Sequence, residues 1–169
     1  MRTQNGYSIT ELLIVIVTIG ILATITIVSY NGFQNRANDA AIQSDLEGMA
    51  GLLEAYRNRD DDSNPSHIYP QSSSTLESLD LRASKNSYDT SVSQNLVLCM
   101  PSSGNNAYKE YRLAGLSKSG NAFVMGQDGF ITHSLTKGSF SGSLCSVFSM
   151  SEISSGLSAP DTWQNWVKS

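Results

Sequence analysis

The sequence is poor in the residues that mark several common classes of protein. Its 169 residues include two cysteines, which excludes a disulfide-dense miniprotein and a zinc site built from cysteine alone. Charged residues make up 15% of the chain, against about 25% in an average soluble domain. The formal net charge of −4 shows no excess of basic residues. The composition therefore argues against direct binding to DNA or RNA.

Motifs for catalysis and cofactor binding are also missing from the sequence. His67 and His133 are the only histidines, and neither stands in a recognisable catalytic or metal-binding motif. The sequence has no phosphate-binding loop, nucleophile elbow or cluster of metal ligands. We therefore expect no enzymatic activity, no metal and no cofactor. The 28 serines indicate a polar, solvent-exposed surface.

What the sequence does contain is one long uncharged segment near its amino terminus. The 24 residues from Leu12 to Asn35 include no charged side chain, and a transmembrane helix needs about 20 mostly apolar residues. A secretory signal peptide would have a more basic start, a shorter apolar core and a small-residue cleavage site. A buried core helix is the other alternative, but the 17 residues from Leu12 to Val28 are long for one. A membrane anchor fits best.

A single carboxylate, Glu11, opens this uncharged segment. A carboxylate at the edge of a membrane is costly to carry inward, and such residues usually have a function. Gly6 and Tyr7 stand shortly before it. If the chain were cleaved after Gly6, the positive amine of Tyr7 would lie four residues from Glu11, which is about one helical turn.

The stretch from Gly6 to Ile16, GYSITELLIVI, closely resembles the amino terminus of type IV prepilins and pseudopilins. The resemblance implies that residues 1–6 are a leader peptide, which prepilin peptidase removes by cleaving after Gly6. It also implies that the new amino terminus at Tyr7 is methylated. Glu11 would then be the assembly residue, which neutralises the terminal amine of a neighbouring subunit.

The resemblance continues beyond the apolar core and also has departures. Tyr30, Phe33 and Arg36 stand where pilins often carry two aromatic residues and a basic one. Val28 occupies a position where many pilins have a proline that helps the helix unwind in the filament. Gly20 and the threonines near it weaken a helix, so Gly20 is expected to give the helix flexibility. The alternative is that glycine and threonine permit close helix packing in the membrane.

Helical periodicity persists after the uncharged segment. Large apolar residues recur in steps of four and three, which predicts one buried face, and the acidic residues lie largely off that face. One helix is therefore expected from Ser8 to Asn58. Its part over residues 7–35 is the transmembrane and assembly part, and its part over 36–58 is amphipathic. The predicted buried face comprises Ile42, Leu46, Met49, Leu53 and Tyr56.

Residues 59–169 are expected to form a globular head with serine-rich loops. The run from Asp60 to Asp62 ends the helix and is interpreted as a solvated turn, with a contribution to a calcium site as the alternative. Ser74 and Glu77 match a capping box, which predicts a short helix from Thr75 to Leu81.

Four short apolar runs separated by turn signals predict an antiparallel sheet in the head. One face of this sheet is expected to pack on the amphipathic half of the first helix. The predicted fold is therefore α+β, with a long amino-terminal helix and about four strands, as the resemblance to pilins also implies. The strands are predicted at Leu96 to Met100, Tyr108 to Leu116, Ala122 to Met125 and Phe130 to Ser134.

The two cysteines and two tryptophans lie in the head. Many pilins have a disulfide bounding a carboxyl-terminal region, so the resemblance implies that Cys99 and Cys145 are paired. Two buried free thiols are the alternative. Trp163 and Trp166 suggest a last helical turn or a clasp on the head, with buried anchors favoured over an adhesive patch.

Together these features predict a structural subunit of a type IV pilus that supports adhesion or twitching motility. The precursor would be a single-pass protein of the inner membrane with its head outside, and the assembled pilus would be extracellular. The implied partners are copies of the chain, prepilin peptidase, the pilus assembly platform and membrane lipid. The alternatives are a pseudopilin of a type II secretion system, a minor pilin and, less favoured, an anchored single-span binding protein.

Overall fold

A computed structural model describes residues 6–59, 67–142, 144–159 and 162–169, with only the backbone described over 26–29 and 157–159. The chain divides into two units, Met1–Arg36 and Ala37–Ser169. Most of the predicted leader, and the acidic run from Asp60 to Asp62, lie outside the described residues.

The first helix, α1, runs through Ile9–Arg57, within one residue of the predicted bounds at each end. In the first unit, the large apolar side chains from Leu12 to Ile25 are 50–65% exposed. The helix continues through Gly20 and Val28, so the flexibility expected at Gly20 stays a prediction. In the second unit, one face of α1 is buried in the core of the head.

The head contains a five-stranded antiparallel sheet and a separate two-stranded sheet. The strand order in the larger sheet is β4-β3-β2-β1-β5, and β6 pairs with β7 in the smaller one. The strands are β1 Leu96–Met100, β2 Arg112–Leu116, β3 Ala122–Gly126, β4 Gly129–Phe130, β5 Ser151–Ser155, β6 Leu157–Ala159 and β7 Thr162–Trp163.

The predicted number of about four strands is therefore corrected to five in the main sheet. The four predicted strands are present, but β2 begins at Arg112 rather than Tyr108, and β4 ends at Phe130 rather than Ser134. The added strand, β5, has the sequence SEISS. It pairs with β1 at the edge of the sheet, where an exposed face needs no apolar alternation.

Strand β1 lies between β2 and β5 in the main sheet and is buried on both faces. On one face Leu96, Leu98 and Met100 belong to the same core cluster as the buried face of α1, so the predicted packing of helix on sheet is confirmed. On the other face Val97 and Cys99 pack in a second cluster with Phe140, Leu144 and Cys145. A strand covered on both sides is an uninterrupted apolar run, as LVLCM is.

Gly115 in β2 is the point of closest approach between sheet and helix. A Cβ atom added to it would lie 2.9 Å from Ile42 Cγ2 and 3.3 Å from Tyr88 Cε1. Both distances are shorter than ordinary van der Waals contact, so the absence of a side chain lets α1 seat against the sheet.

Short helices complete the head, and one of them corrects a predicted boundary. Helix α2 spans Ser73–Glu77, with Ser72 as its N-cap accepting a hydrogen bond from the amide of Thr75. It therefore begins and ends earlier than the predicted Thr75 to Leu81. Helix α3 spans Leu144–Val147, and two 3-10 helices span Lys85–Ser87 and Lys137–Ser141.

A disulfide joins Cys99 in β1 to Cys145 in α3, with 5.4 Å between their Cα atoms. It fastens the segment that covers the second face of the sheet to β1. Trp166 is buried and its indole N–H donates to the carbonyl of Ser155 at 3.0 Å. Trp163 lies in β7, so the alternative of a last helical turn is wrong for it, and it packs edge-to-face on Tyr88.

Candidate assembly surface on the first helix

The carboxylate of Glu11 lies in the first turn of α1. The backbone N–H of Ser8 donates to Glu11 Oε2 at 3.4 Å, which is the Glu half of a Ser-x-x-Glu capping box. The positive end of the helix dipole also favours a carboxylate at this position. This structural role of Glu11 was not predicted from the sequence, although the spacing of Ser8 and Glu11 matches a capping box.

Gly6 and Tyr7, the predicted processing residues, precede the helix in exposed backbone. Tyr7 is 87% exposed, and no atom lies within 4 Å of a Cβ added to Gly6. The structure thus brings Gly6, Tyr7 and Glu11 together on the first few residues of one accessible helix end. Their processing and assembly roles stay predictions.

Two threonines in the uncharged segment that follows satisfy their hydroxyls within the helix. The hydroxyl of Thr18 donates to the carbonyl of Val15 at 2.8 Å, and that of Thr24 donates to the carbonyl of Ile21 at 2.7 Å. Such bonds remove the need for water, as an apolar surrounding requires. The helix surface from Leu12 to Ile25 is therefore apolar, since its described hydroxyls are hydrogen-bonded within the helix.

The segment is long enough to cross a bilayer. Its 24 uncharged residues rise by about 36 Å at 1.5 Å per residue, and the hydrocarbon core of a bilayer is about 30 Å thick. An exposed apolar surface of this length and composition fits a single-pass membrane anchor.

The amphipathic half of α1 is held to the head by three carboxylates as well as by its apolar face. Asp39 accepts hydrogen bonds from Ser119 Oγ and Asn121 Nδ2 at 2.5 and 2.7 Å. Asp45 accepts from the amide and hydroxyl of Ser84 at 2.6 and 3.1 Å. These acids flank the buried face rather than facing solvent, which the helical period alone did not reveal.

Glu54, the third of these carboxylates, accepts a hydrogen bond from the hydroxyl of Tyr69 at 2.5 Å. Gln127 Nε2 donates to the same hydroxyl at 2.8 Å. Burial, and next the hydrogen bond to Glu54, raise the pKa of Tyr69. The phenol is therefore a neutral donor that ties the end of α1 to the turn between β3 and β4.

The two histidines make structural contacts. His67 Nδ1 donates a hydrogen bond to the carbonyl oxygen of Arg57 at 3.1 Å, and the ring of His133 packs edge-to-face on Phe148. Within the described ranges, no three His, Cys, Asp or Glu side chains are grouped so that they could hold a metal ion.

A long, amino-terminal apolar helix packed on an antiparallel sheet is consistent with the pilin fold. That helix begins with the Gly-Tyr-Ser-x-x-Glu sequence, and its apolar front fits a single-pass membrane anchor.

Two curated proteins are similar to part of this chain. Over 57 residues, 34% of this chain and 41% of the relative, it is 32% identical to the type II secretion system core protein G of Klebsiella pneumoniae. Over 76 residues, 45% of this chain and 48% of the relative, it is 30% identical to the protein of the same name from Escherichia coli (strain K12). The chain thus spans less than half the length of either relative. No family model and no solved structure matches it.

Proposed function

We propose that this chain is the structural subunit of a type IV pilus, made as a membrane-anchored precursor and polymerised through the front of α1. The observation that carries the proposal is the exposed, uncharged helix surface that begins directly after Glu11. Contiguous apolar surface of this extent marks a membrane or protein interface. In this proposal it lies first in lipid and then among the helices of other copies in the filament core.

Processing would precede assembly. Prepilin peptidase removes residues 1–6 and methylates the amine of Tyr7, and the pilus assembly platform then extracts the subunit from the membrane. In the filament core, a buried carboxylate destabilises the assembly unless it is paired. The Tyr7 amine of a neighbouring copy supplies the pairing charge for Glu11 and sets the axial register of the two subunits.

The capping contact at Ser8 supports two separate roles for the Glu11 side chain, one in the local helix structure and one in assembly. The Ser8 amide needs only a hydrogen-bond acceptor, whereas the Tyr7 amine needs a negative charge. Gln keeps the acceptor and is the other residue found in capping boxes. The variant Glu11→Gln therefore separates the local structure of the helix from the proposed assembly contact.

The second candidate is a pseudopilin, which would assemble the same way inside a type II secretion system. The partial similarity to two proteins named type II secretion system core protein G favours it. Surface filaments distinguish the two candidates. A pilin is the main component of long filaments sheared from cells, whereas a pseudopilin is not, and its loss abolishes protein secretion instead of adhesion or twitching motility.

Mass spectrometry of the sheared protein tests the proposal. We expect an amino terminus at Tyr7 carrying one methyl group. Gly6→Ala should leave the precursor uncut, and Glu11→Gln should be processed but yield few filaments. Glu47→Gln, which removes an exposed carboxylate elsewhere on α1, is the matched control and should assemble normally. An intact Met1 in normal filaments, or full filament yield from Glu11→Gln, would contradict the mechanism.

A further inference from the structure

Two aromatic residues and one arginine lie together where the uncharged segment ends. Tyr30 is 64% and Phe33 is 72% exposed, and Arg36 is exposed as well. Successive members are three residues apart, so each lies within about 60° of the previous one around the helix. All three belong to the first unit of the chain.

The helical rise places this group relative to a bilayer. Tyr30 lies 19 residues beyond Glu11, or about 28 Å along the helix, which matches the ~30 Å hydrocarbon core. With Glu11 at one surface of the membrane, Tyr30 reaches the other. Arg36 lies about 9 Å further on, at the depth of the lipid headgroups.

Arg36 is available for an external anion. In the part of the chain that the structure describes, the ion pairs involve Arg57, Arg82 and Lys137, and none involves Arg36. The carboxylate nearest in sequence, Asp39, instead accepts hydrogen bonds from Ser119 and Asn121.

We infer that Arg36 binds the phosphate of a phospholipid in the head-side leaflet and, with Tyr30 and Phe33, sets the depth of the anchored subunit. Tyrosine rings prefer the membrane interface, phenylalanine inserts from the apolar face of a helix at that interface, and a guanidinium binds phosphate through two parallel hydrogen bonds. This inference rests on the proposed membrane-anchored precursor. Beyond that proposal, it names phospholipid phosphate as the ligand of Arg36 before the subunit is extracted from the membrane.

A nitroxide on Asn35→Cys tests the inference in the full chain, since Cys99 and Cys145 are bonded to each other and leave no free thiol among the described residues. The depth of the label is measured from its collisions with oxygen and with a water-soluble nickel complex in phosphatidylglycerol–phosphatidylcholine vesicles. We expect the label at the headgroups. In Arg36→Gln the first charged residue after the anchor is Asp39, three residues further along the helix. The helix can then insert deeper by the rise of three residues, so the label should move about 4–5 Å toward the bilayer centre.

Three controls make the outcome specific to phosphate. Arg36→Lys should keep most of the depth, and Arg59→Gln, an exposed arginine beyond the anchor, should leave it unchanged. In vesicles of digalactosyldiacylglycerol, which contain no phosphorus, the label should have the same depth in the parent and in Arg36→Gln.

Two results would overturn the inference while leaving the membrane anchor intact: equal depths for the parent and Arg36→Gln in phospholipid, or an equally large difference in galactolipid. A label at Ile21→Cys that is fully open to the nickel complex would show no insertion. That result would refute the anchor proposed for the precursor, and with it the lipid contact.

Discussion

The front of α1, from Leu12 to Ile25, and its rear, from Ala37 to Arg57, differ in the partners of their side chains. The large apolar side chains of the front are at least half exposed, whereas Ile42, Leu46 and Leu53 in the rear are fully buried. The front satisfies its threonine hydroxyls within the helix, while the rear extends its carboxylates to the loops of the head.

This difference shows how one continuous helix can serve two surroundings. The rear follows the rule for a soluble domain, with one apolar face and polar flanks. The front is apolar all round, which is stable only in lipid or among other helices. Changes in the head should therefore leave the front unaffected in the full chain held in detergent.

Loss of the disulfide should have the largest effect. The bond closes a loop with a sequence separation of 46 residues, so replacing Cys99 and Cys145 by alanine should lower the free energy of unfolding by about 4 kcal/mol. Urea unfolding followed by tryptophan fluorescence measures the loss. Amide hydrogen exchange over residues 12–25 should stay as in the parent, and faster exchange there would show that the two regions are coupled.

Truncation of a buried leucine should have the next largest effect. Leu46→Ala removes a side chain with no exposed surface and should destabilise the head by about 2–5 kcal/mol. Leu13→Ala, in the exposed front, is the matched control and should change the urea midpoint by less than about 0.5 kcal/mol in equivalent free energy. A similar loss in both variants would contradict the comparison.

A methyl group at the contact between sheet and helix should cost somewhat less. In Gly115→Ala the new Cβ would meet Ile42 Cγ2 at 2.9 Å, and overpacking of this kind costs about 1–3 kcal/mol. Adding Ile42→Leu to Gly115→Ala should restore part of the loss, because leucine is not branched at Cβ and lacks the Cγ2 methyl that the new Cβ would meet. Calorimetry of the single and double variants measures this recovery of stability. Identical stabilities of the two variants would exclude a steric cause.

A methyl group added on the exposed surface of α1 should instead stabilise the protein. Gly48 in α1 has no atom within 4 Å of an added Cβ. Gly48→Ala should therefore stabilise the helix by about 0.5–1 kcal/mol, since alanine loses less conformational freedom than glycine on folding. A lower unfolding midpoint for Gly48→Ala would indicate that this surface is closer packed than described.

Two carboxylates, Asp45 in the rear of α1 and Asp89 in the head, should give opposite and smaller effects of pH on stability. Burial raises the pKa of Asp45 and outweighs the hydrogen bonds from Ser84. Because the folded state then holds this proton more tightly than the unfolded state, stability increases as pH falls through the folded pKa toward 3.8. The stability difference between the parent and Asp45→Asn should therefore shift in favour of the parent on acidification through this window.

Asp89 should change the stability with pH in the opposite direction. Burial raises its pKa, but hydrogen bonds from Lys137 and Ser91 outweigh burial and lower the pKa below 3.8. Its stabilising contribution is present above 3.8 and is lost as pH falls through the folded pKa. The difference between the parent and Asp89→Asn should shrink over that range in urea titrations, and a difference that grows would show the sign to be wrong.

The elements that the sequence predicted well are those with a strong apolar pattern. Helix α1 was predicted to within a residue because uncharged length marks its front and a regular apolar face marks its rear. Strand β1 was predicted with its full bounds because both of its faces are buried. The strand that was not predicted, β5, consists of four polar residues around Ile153. It forms by pairing with β1, and such a long-range contact leaves no local pattern in the sequence.

The candidate assembly residues show a similar limit. Gly6, Tyr7 and Glu11 were identified from a motif, and the structure adds the hydrogen bond between Ser8 and Glu11. The bonds of Asp39 and Asp45 depend on loops about 80 and 39 residues away in sequence, so helical periodicity could place these acids on a flank but could not name their partners.

The disulfide has a consequence for how the protein withstands proteases. The exposed loop from Ser102 to Asn106 lies between Cys99 and Cys145 in the chain, so a cut there separates two pieces that remain covalently joined. Each piece also keeps part of the main sheet, since β1 precedes the cut and β2 follows it. A nicked head therefore stays one molecule, and its break becomes visible only after reduction.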